Sequence, residues 1–427
     1  MEMQLPPEAA SVHCRLGMEV VWSDLDDAPL APAGQETVTD LLTEEPDAPS
    51  RWAGRGIEQL IANYNAIIQA RAIYYPVAYQ FDRELGRGRQ GIVFLCHRYG
   101  ARGCLTRHAI KLFDPSIYRT VKRYWTDMGR LAAQVTRLQT LNAPNLVGRD
   151  VYEENNGIGY VQMEAIDGLD LQHLLYGSHF ERVKARSTPA EWARFTDVIF
   201  RIEEGKVRIQ PGVALYIMRQ VLRGIEALHD TGYIHGDVKP SNIMCDKLGY
   251  VKLVDYGRAT LVNEPITFLL GSPVYMAPEI HRRERYYVQS DIYSTGLVGI
   301  ELLRGEALTD YSRMNEAAML EFKMQLPKRL PALLPPHVRR NADFVSLLLK
   351  FIDPDPARRF ASAQEAESGS GGLALLHKQL TILGKDSEYD RDLESYLSKL
   401  YAPLADGAAA VPAAESAAAR GARPPNA

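Results

Sequence analysis

Five short segments, met in one order between residues 86 and 279, leave this chain few folds to choose from. The first is a glycine loop, Gly86-Arg87-Gly88-Arg89-Gln90-Gly91-Ile92-Val93, entered from an apolar strand start at Tyr79, Phe81 and Leu85. The second, His108-Ala109-Ile110-Lys111, puts a lysine in an alternating strand, where burying it without a partner would be expensive. A polar loop comes next, His235-Gly236-Asp237-Val238-Lys239-Pro240-Ser241-Asn242, then Asp255-Tyr256-Gly257. The last is Gly271-Ser272-Pro273-Val274-Tyr275-Met276-Ala277-Pro278-Glu279. A glycine triplet or a loop aspartate occurs in many turns. Five such pieces with these internal spacings do not recur by accident.

The rest of the chain bounds the reading. At 427 residues and 46% hydrophobic, it has ample material for a sizeable core. A net charge of -4 makes no general case for nucleic acid or a membrane surface. No apolar run approaches the ~20 residues of a bilayer span, and the N-terminus lacks the basic and apolar pattern of a signal peptide. The four cysteines (Cys14, Cys96, Cys104, Cys245) are scattered without metal-ligand spacing. They read as reduced thiols of a cytoplasmic protein.

Residues 1–50 hold eleven acidic residues against Arg15 and read as a disordered acidic tail. Ile57, Leu60, Ile61, Tyr64, Ile67 and Ile68 recur at helical spacing, so 51–76 is expected to contain an amphipathic helix packed on the segment 77–162. Residues 77–162 alternate strand-like runs with turns and one long helical stretch at about 117–141, whereas 163–367 are mostly helical. Between Gly177 and Pro211 lies a charged segment containing Trp and Phe. Ser368-Gly369-Ser370-Gly371-Gly372 reads as a flexible linker to a short helical extension within 368–402, and 403–427 as a disordered Ala/Pro-rich tail.

Taken together, the five segments resemble the signature set of eukaryotic-like serine/threonine protein kinases, over residues 77–367. The resemblance implies an α+β, bilobal fold: a small β-rich lobe (77–162) with one regulatory helix, a hinge (163–167) and a larger helical lobe (168–367). It implies ATP and magnesium as cofactors and a protein as the acceptor. Gly86, Gly88 and Gly91 would let the hairpin approach the phosphates, and Lys111 would pair with them. Val93, Ala109 and Met244 would sandwich the adenine, the backbone of Glu164 and Ile166 would bond it, Met163 would be the gatekeeper, and Asp170 would serve the ribose. Asp237 would take the acceptor proton, Lys239 would steady the transferring phosphate, and Asn242 and Asp255 would hold the metal. The type of Lys239 and the Gly271-Ser272-Pro273 run resemble serine/threonine rather than tyrosine kinases. Asp291 would brace the catalytic loop, and an arginine of Asp355-Pro356-Ala357-Arg358-Arg359 would pair with Glu279. Against the family's habit, the segment 177–211 is long.

Other departures stand out. Gln134 falls where the family's helix glutamate pairs with the strand lysine; a glutamine could bond Lys111 but not neutralise it. Arg149 falls where the family usually has an apolar core residue. Tyr256 replaces the usual Phe, and its hydroxyl needs a partner if buried. Gly236 replaces the arginine that meets an activation-loop phosphate, so the loop is expected to order without phosphate on Thr260, Thr267 or Ser272. The helix at 117–141 is basic through Arg119, Lys122, Arg123, Arg130 and Arg137: a solvated face, or a dock for an acidic partner or the chain's own acidic tail. An alternative to catalysis is a pseudokinase, a nucleotide-binding or scaffolding signalling module.

Overall fold

The computed structural model describes residues 56–401 except 75–76, 140, 178, 204–205, 267–270, 312–313 and 381–387. The acidic tail read at 1–50 and the Ala/Pro-rich tail at 403–427 lie outside the described residues. Helix α1 (Ile57–Ala70) buries Leu60, Tyr64 and Ile67, the stripe its periodicity dictates. It ends at Arg71, which adopts a left-handed conformation and bonds back to the Ile68 carbonyl. The chain then enters a six-stranded antiparallel sheet ordered β1-β2-β3-β4-β6-β5. Its strands are β1 (Ala72–Ile73), β2 (Tyr79–Gly88), β3 (Gly91–Tyr99), β4 (Leu105–Phe113), β5 (Arg149–Asn155) and β6 (Ile158–Glu164). Helix α2 (Val121–Leu138), capped by the Thr120 side chain, crosses between β4 and β5. It buries Tyr124, Met128, Leu131, Gln134, Val135 and Leu138 and leaves Arg119, Lys122, Arg123, Arg130 and Arg137 exposed. Among its buried positions Gln134 is polar, and its partners prove informative.

Beyond Glu164 the chain becomes helical. Strand β7 (Gly168–Asp170) joins a three-stranded sheet with β11 (Ile243–Asp246) and β12 (Val251–Leu253). Helix α3 (Leu171–Tyr176) leads into the long segment, which forms α4 (Phe180–Ala185), α5 (Pro189–Val198) and a hairpin of β8 (Phe200–Glu203) and β9 (Lys206–Ile209). Helices α6 (Pro211–His229) and α8 (Val288–Arg304), apolar on most sides, form the centre of this lobe. Strand β10 (Tyr233–Ile234) pairs with β13 (Thr260–Leu261), and α7 (Pro278–His281) precedes α8. Helices α9 (Glu316–Leu333), α10 (Pro336–Arg339), α11 (Ala342–Phe351) and α12 (Ala363–Ser368) complete the lobe.

The Gly/Ser run after α12 corrects the reading of a flexible linker. It is a packed turn: Gly369 N–H bonds Glu365 O, Gly372 N–H bonds Gly369 O, and a Cβ on Gly372 would meet two carbonyl oxygens of α12 within 2.8 Å. Helix α13 (Leu373–Leu380) then buries Leu373 and Leu376. Helix α14 (Tyr389–Tyr401) inserts Tyr396 among His179, Phe195 and Phe200, so the long segment and the extension share one aromatic cluster. Arg186 caps the end of α14 through the Lys399 and Leu400 carbonyls.

Candidate active site

The cleft lies between the antiparallel sheet and the helical lobe. Gly88 and Gly91 face each other across the two-residue tip Arg89-Gln90. Gly91 has φ 144°, and a Cβ there would strike Leu112 O at 1.8 Å, so only glycine fits. At Gly86 and Gly88 an added Cβ would meet nothing within 4 Å. These two leave open space above the sheet, where a phosphate chain can approach the backbone. Gln90 closes the tip: its side-chain oxygen accepts from Lys111 Nζ at 3.0 Å.

Lys111 is buried between Val93 and Val161 on its neighbouring strands, which fixes where its ammonium points. That ammonium bonds Asp255 Oδ1 at 2.5 Å. Asp255 itself sits in the left-handed region, φ 57° and ψ 46°, a conformation held only by its surroundings. Ala109 and Met163 are register partners on β4 and β6, both buried. Glu164 ends β6 with its side chain turned to Lys252 at 2.7 Å, and Ile166 packs at the core margin. Met244 is the register partner of Asp170. Asp170 caps α3, accepting from His173 N–H at 2.8 Å and pairing with the His173 ring at 2.6 Å. Its carboxylate is thus already engaged at the position read for a ribose contact.

Asp237 is buried and held by several donors. Ser272 N–H bonds its Oδ1 at 2.9 Å; Lys239 Nζ lies 3.0 Å and Asn242 Nδ2 3.1 Å from its Oδ2. Asn242 commits its NH₂ to Asp237, including the Asp237 carbonyl at 2.9 Å, so the amide oxygen is its acceptor side. Lys239 also donates to Ser272 Oγ at 2.7 Å. The loop carrying Asp237 is braced from below: Asp291, fully buried, accepts from His235 N–H at 2.8 Å and Gly236 N–H at 2.9 Å. Burial alone would raise the Asp291 carboxyl, but His229 at 2.9 Å and these donors hold it below the usual carboxylate range. His235 is pushed below its ordinary value by burial.

No group of three or more His, Cys, Asp or Glu able to hold a metal occurs among the described residues. Magnesium would need only one or two hard protein oxygens, with waters and phosphates for the rest. The Asn242 amide and the Asp255 carboxylate could offer such oxygens. The Glu279–Arg359 pair is bidentate at 2.7 and 2.8 Å and fully buried, which selects Arg359 over Arg358 as the partner.

The structure relocates Gln134. Both hydrogens of its amide go to main-chain oxygens, Tyr256 O and Ala259 O, each at 3.1 Å, and its oxygen accepts from Arg149 at 3.3 Å. A glutamine here could bond Lys111; the contacts of this amide are with the turn after Asp255 and with Arg149 instead. Arg149 stacks its guanidinium 3.7 Å from the centre of the Tyr256 ring, and the Tyr256 hydroxyl donates to Val147 O at 2.6 Å. One residue escaped the sequence reading altogether. Lys323 of α9 is fully buried and donates to Pro273 O and Met276 O, both at 2.6 Å, with His281 Nε2 at 2.9 Å. Its signal was a lysine on the apolar stripe Met319, Phe322, Leu326 and Leu330.

The comparisons agree with this geometry. The family described as protein kinase domain matches residues 79–368. Serine/threonine-protein kinase PrkC of Bacillus subtilis is 28% identical over 245 residues, 56% of this chain and 33% of its own. Serine/threonine-protein kinase PknD of Mycobacterium tuberculosis is 28% identical over 327 residues, 74% of this chain and 41% of its own. Calcium-dependent protein kinase 8 of Arabidopsis thaliana is 26% identical over 302 residues, 68% of this chain and 48% of its own. The chain belongs to the protein kinase family, on the eukaryotic-like serine/threonine side that its motifs resemble. It spans between a third and a half of the length of these curated relatives. No helix among the described residues is long and apolar enough to cross a membrane.

Proposed function

We propose that this protein is a serine/threonine protein kinase, working in the cytoplasm, that transfers the γ-phosphoryl group of ATP to hydroxyls of protein substrates. Residues 77–367 are the catalytic unit, with 51–76 and 368–402 as packed extensions. The observation that carries the reading is the Asp237 carboxylate, buried yet fixed by Lys239, Asn242 and Ser272, on the same cleft as the Lys111–Asp255 pair. A structural aspartate of an ordinary turn needs no such convergence.

The acceptor oxygen forms a bond to the γ-phosphorus, and its proton passes to the Asp237 carboxylate. The bond from that phosphorus to the β,γ-bridging oxygen breaks, and ADP leaves. Lys239 faces the oxygens of the moving group, and Lys111 the phosphates that stay behind. Asn242 and Asp255 would hold magnesium, which neutralises charge on the β- and γ-phosphates. The open backbone at Gly86 and Gly88 admits the triphosphate. Val93, Ala109 and Met244 enclose the adenine, Met163 bounds its pocket, and the backbone of Glu164 and Ile166 reads its edge. Asp170 reaches a ribose only by giving up part of its hold on His173.

Incubating the purified chain with magnesium and ATP, and following intact mass beside Asp237→Asn, tests the reading. Added phosphate on the wild type alone is the expected result. No added mass while magnesium-ATP still raises the melting temperature would favour the pseudokinase alternative instead.

A further inference from the structure

Three of the departures noted in the sequence, at residues 134, 149 and 256, meet in one buried cluster behind the cleft. We propose that Gln134 and Arg149 are positioning residues that tie helix α2 to the Asp255 segment by a lock of their own, so that glutamine is the functional residue at 134. The inference deepens the phosphotransfer reading and rests on it.

The chemistry of the contacts requires an amide. Tyr256 O and Ala259 O are both acceptors and both lie 3.1 Å from the same nitrogen, Gln134 Nε2. A carboxylate has no hydrogen to offer either, and would set negative charge against two carbonyl dipoles. The amide oxygen in turn takes a hydrogen bond from Arg149.

Arg149 is a buried cation with no carboxylate in ion-pair contact among the described residues, and its Nε has no partner. Such a charge is expensive unless something faces it. Here the Tyr256 ring supplies a negative π face and Gln134 an oxygen. Asp255 lies just across the turn: a Cβ on Gly257 would sit 3.6 Å from both Arg149 Nη2 and Asp255 Oδ1.

Asp255 has the left-handed conformation that needs external support, and the two residues anchored by Gln134 come directly after it and at one short remove. The lock therefore fixes the carboxylate that faces Lys111. Arg149 is the register partner of Met163, so the cluster is also seated on the sheet.

The test restores the family's residue. Gln134→Glu is nearly isosteric, and pairing of the new carboxylate with Arg149 offsets part of the two lost hydrogen bonds, so the fall in melting temperature should be small beside the loss of rate. With the full-length chain, magnesium-ATP and casein as acceptor, kcat should fall at least tenfold. Backbone hydrogen exchange over residues 256–261 should rise. In a cycle of Gln134→Ala and Arg149→Met, the double variant should lose no more than the worse single one.

A Gln134→Glu rate equal to or above wild type would overturn the proposal, as would additive losses in the cycle. A rate loss that tracks a lower melting temperature and recovers on cooling would also overturn it, in favour of a merely structural role. If the wild type transfers no phosphate, the phosphotransfer reading fails. The exchange measurement still decides the lock, because unchanged exchange in Gln134→Glu refutes it without any turnover.

Discussion

Tyr256 shows how one extra oxygen is accommodated at a site where the family has none. Its ring faces Arg149 and its hydroxyl reaches the Val147 carbonyl at 2.6 Å, inside a core that leaves the tyrosine 3% exposed. Tyr256→Phe keeps the ring face and removes only that donor. The expected result is a loss of about 1–2 kcal/mol, the ordinary cost of orphaning a buried acceptor. Urea unfolding would measure it, and an unchanged midpoint would mean that the carbonyl finds another donor. The sequence announced that the hydroxyl needs a partner. It could not say which, because Val147 is 109 positions away and only the fold brings it there.

At the scale of elements, the loop Gly271–Glu279 is held by three others. Ser272 touches the Asp237 loop, Glu279 grips Arg359, and Lys323 reaches from α9 to the Pro273 and Met276 carbonyls. Gly236 stands where the family's arginine would await a phosphate, so no phosphate anchor is expected for this loop. Burial pushes Lys323 well below its ordinary value. Lys323→Met should leave magnesium-ATP binding intact and raise KM for a protein acceptor by up to ~30-fold, since it loses two buried hydrogen bonds worth roughly 1 kcal/mol each. Thr267→Ala should turn over normally. Steady-state kinetics on both variants checks this, and the picture fails if Thr267→Ala is dead or if Lys323→Met alters only nucleotide binding.

At the scale of the whole molecule, three buried histidines among the described residues have environments that resist protonation. His281 is driven down to about 3 by burial and then by Lys323 and Arg283, although Glu316 lies 3.8 Å from its ring. His235 and His179 are lowered by burial first, although His235 faces Asp291 and Asp237, and His179 bonds Tyr396 at 2.6 Å. The folded values lie below the unfolded value near 6.5, so the unfolded chain binds protons that the native chain refuses. The contribution of these histidines is therefore complete above about pH 6.5 and is lost as pH falls toward the folded values, by up to ~1.4 kcal/mol per pH unit for each group. Melting temperatures between pH 7.5 and 5 should decline, and His281→Asn should flatten part of the slope. A level profile over that range would contradict the assignment. His179 also shows why the extension matters, since its partner Tyr396 belongs to α14 and the two segments are 217 positions apart.

Local chemistry sufficed for the parts that act within a few residues. Gly91 needs its positive φ, the Asp237–Asn242 loop needs its internal spacing, and α1 and α2 arise from periodic apolar stripes, so all were legible in the chain itself. Tertiary structure decided what distance along the chain conceals. It set the Gln134 amide on the turn after Asp255, gave Arg149 an aromatic face, set a lysine in the core under two carbonyls, and packed a Gly/Ser run that composition reads as loose. The physical reason is common to the first three. A buried polar group is stable only with its partners, and those partners lie on other elements that the fold alone brings within 3 to 4 Å.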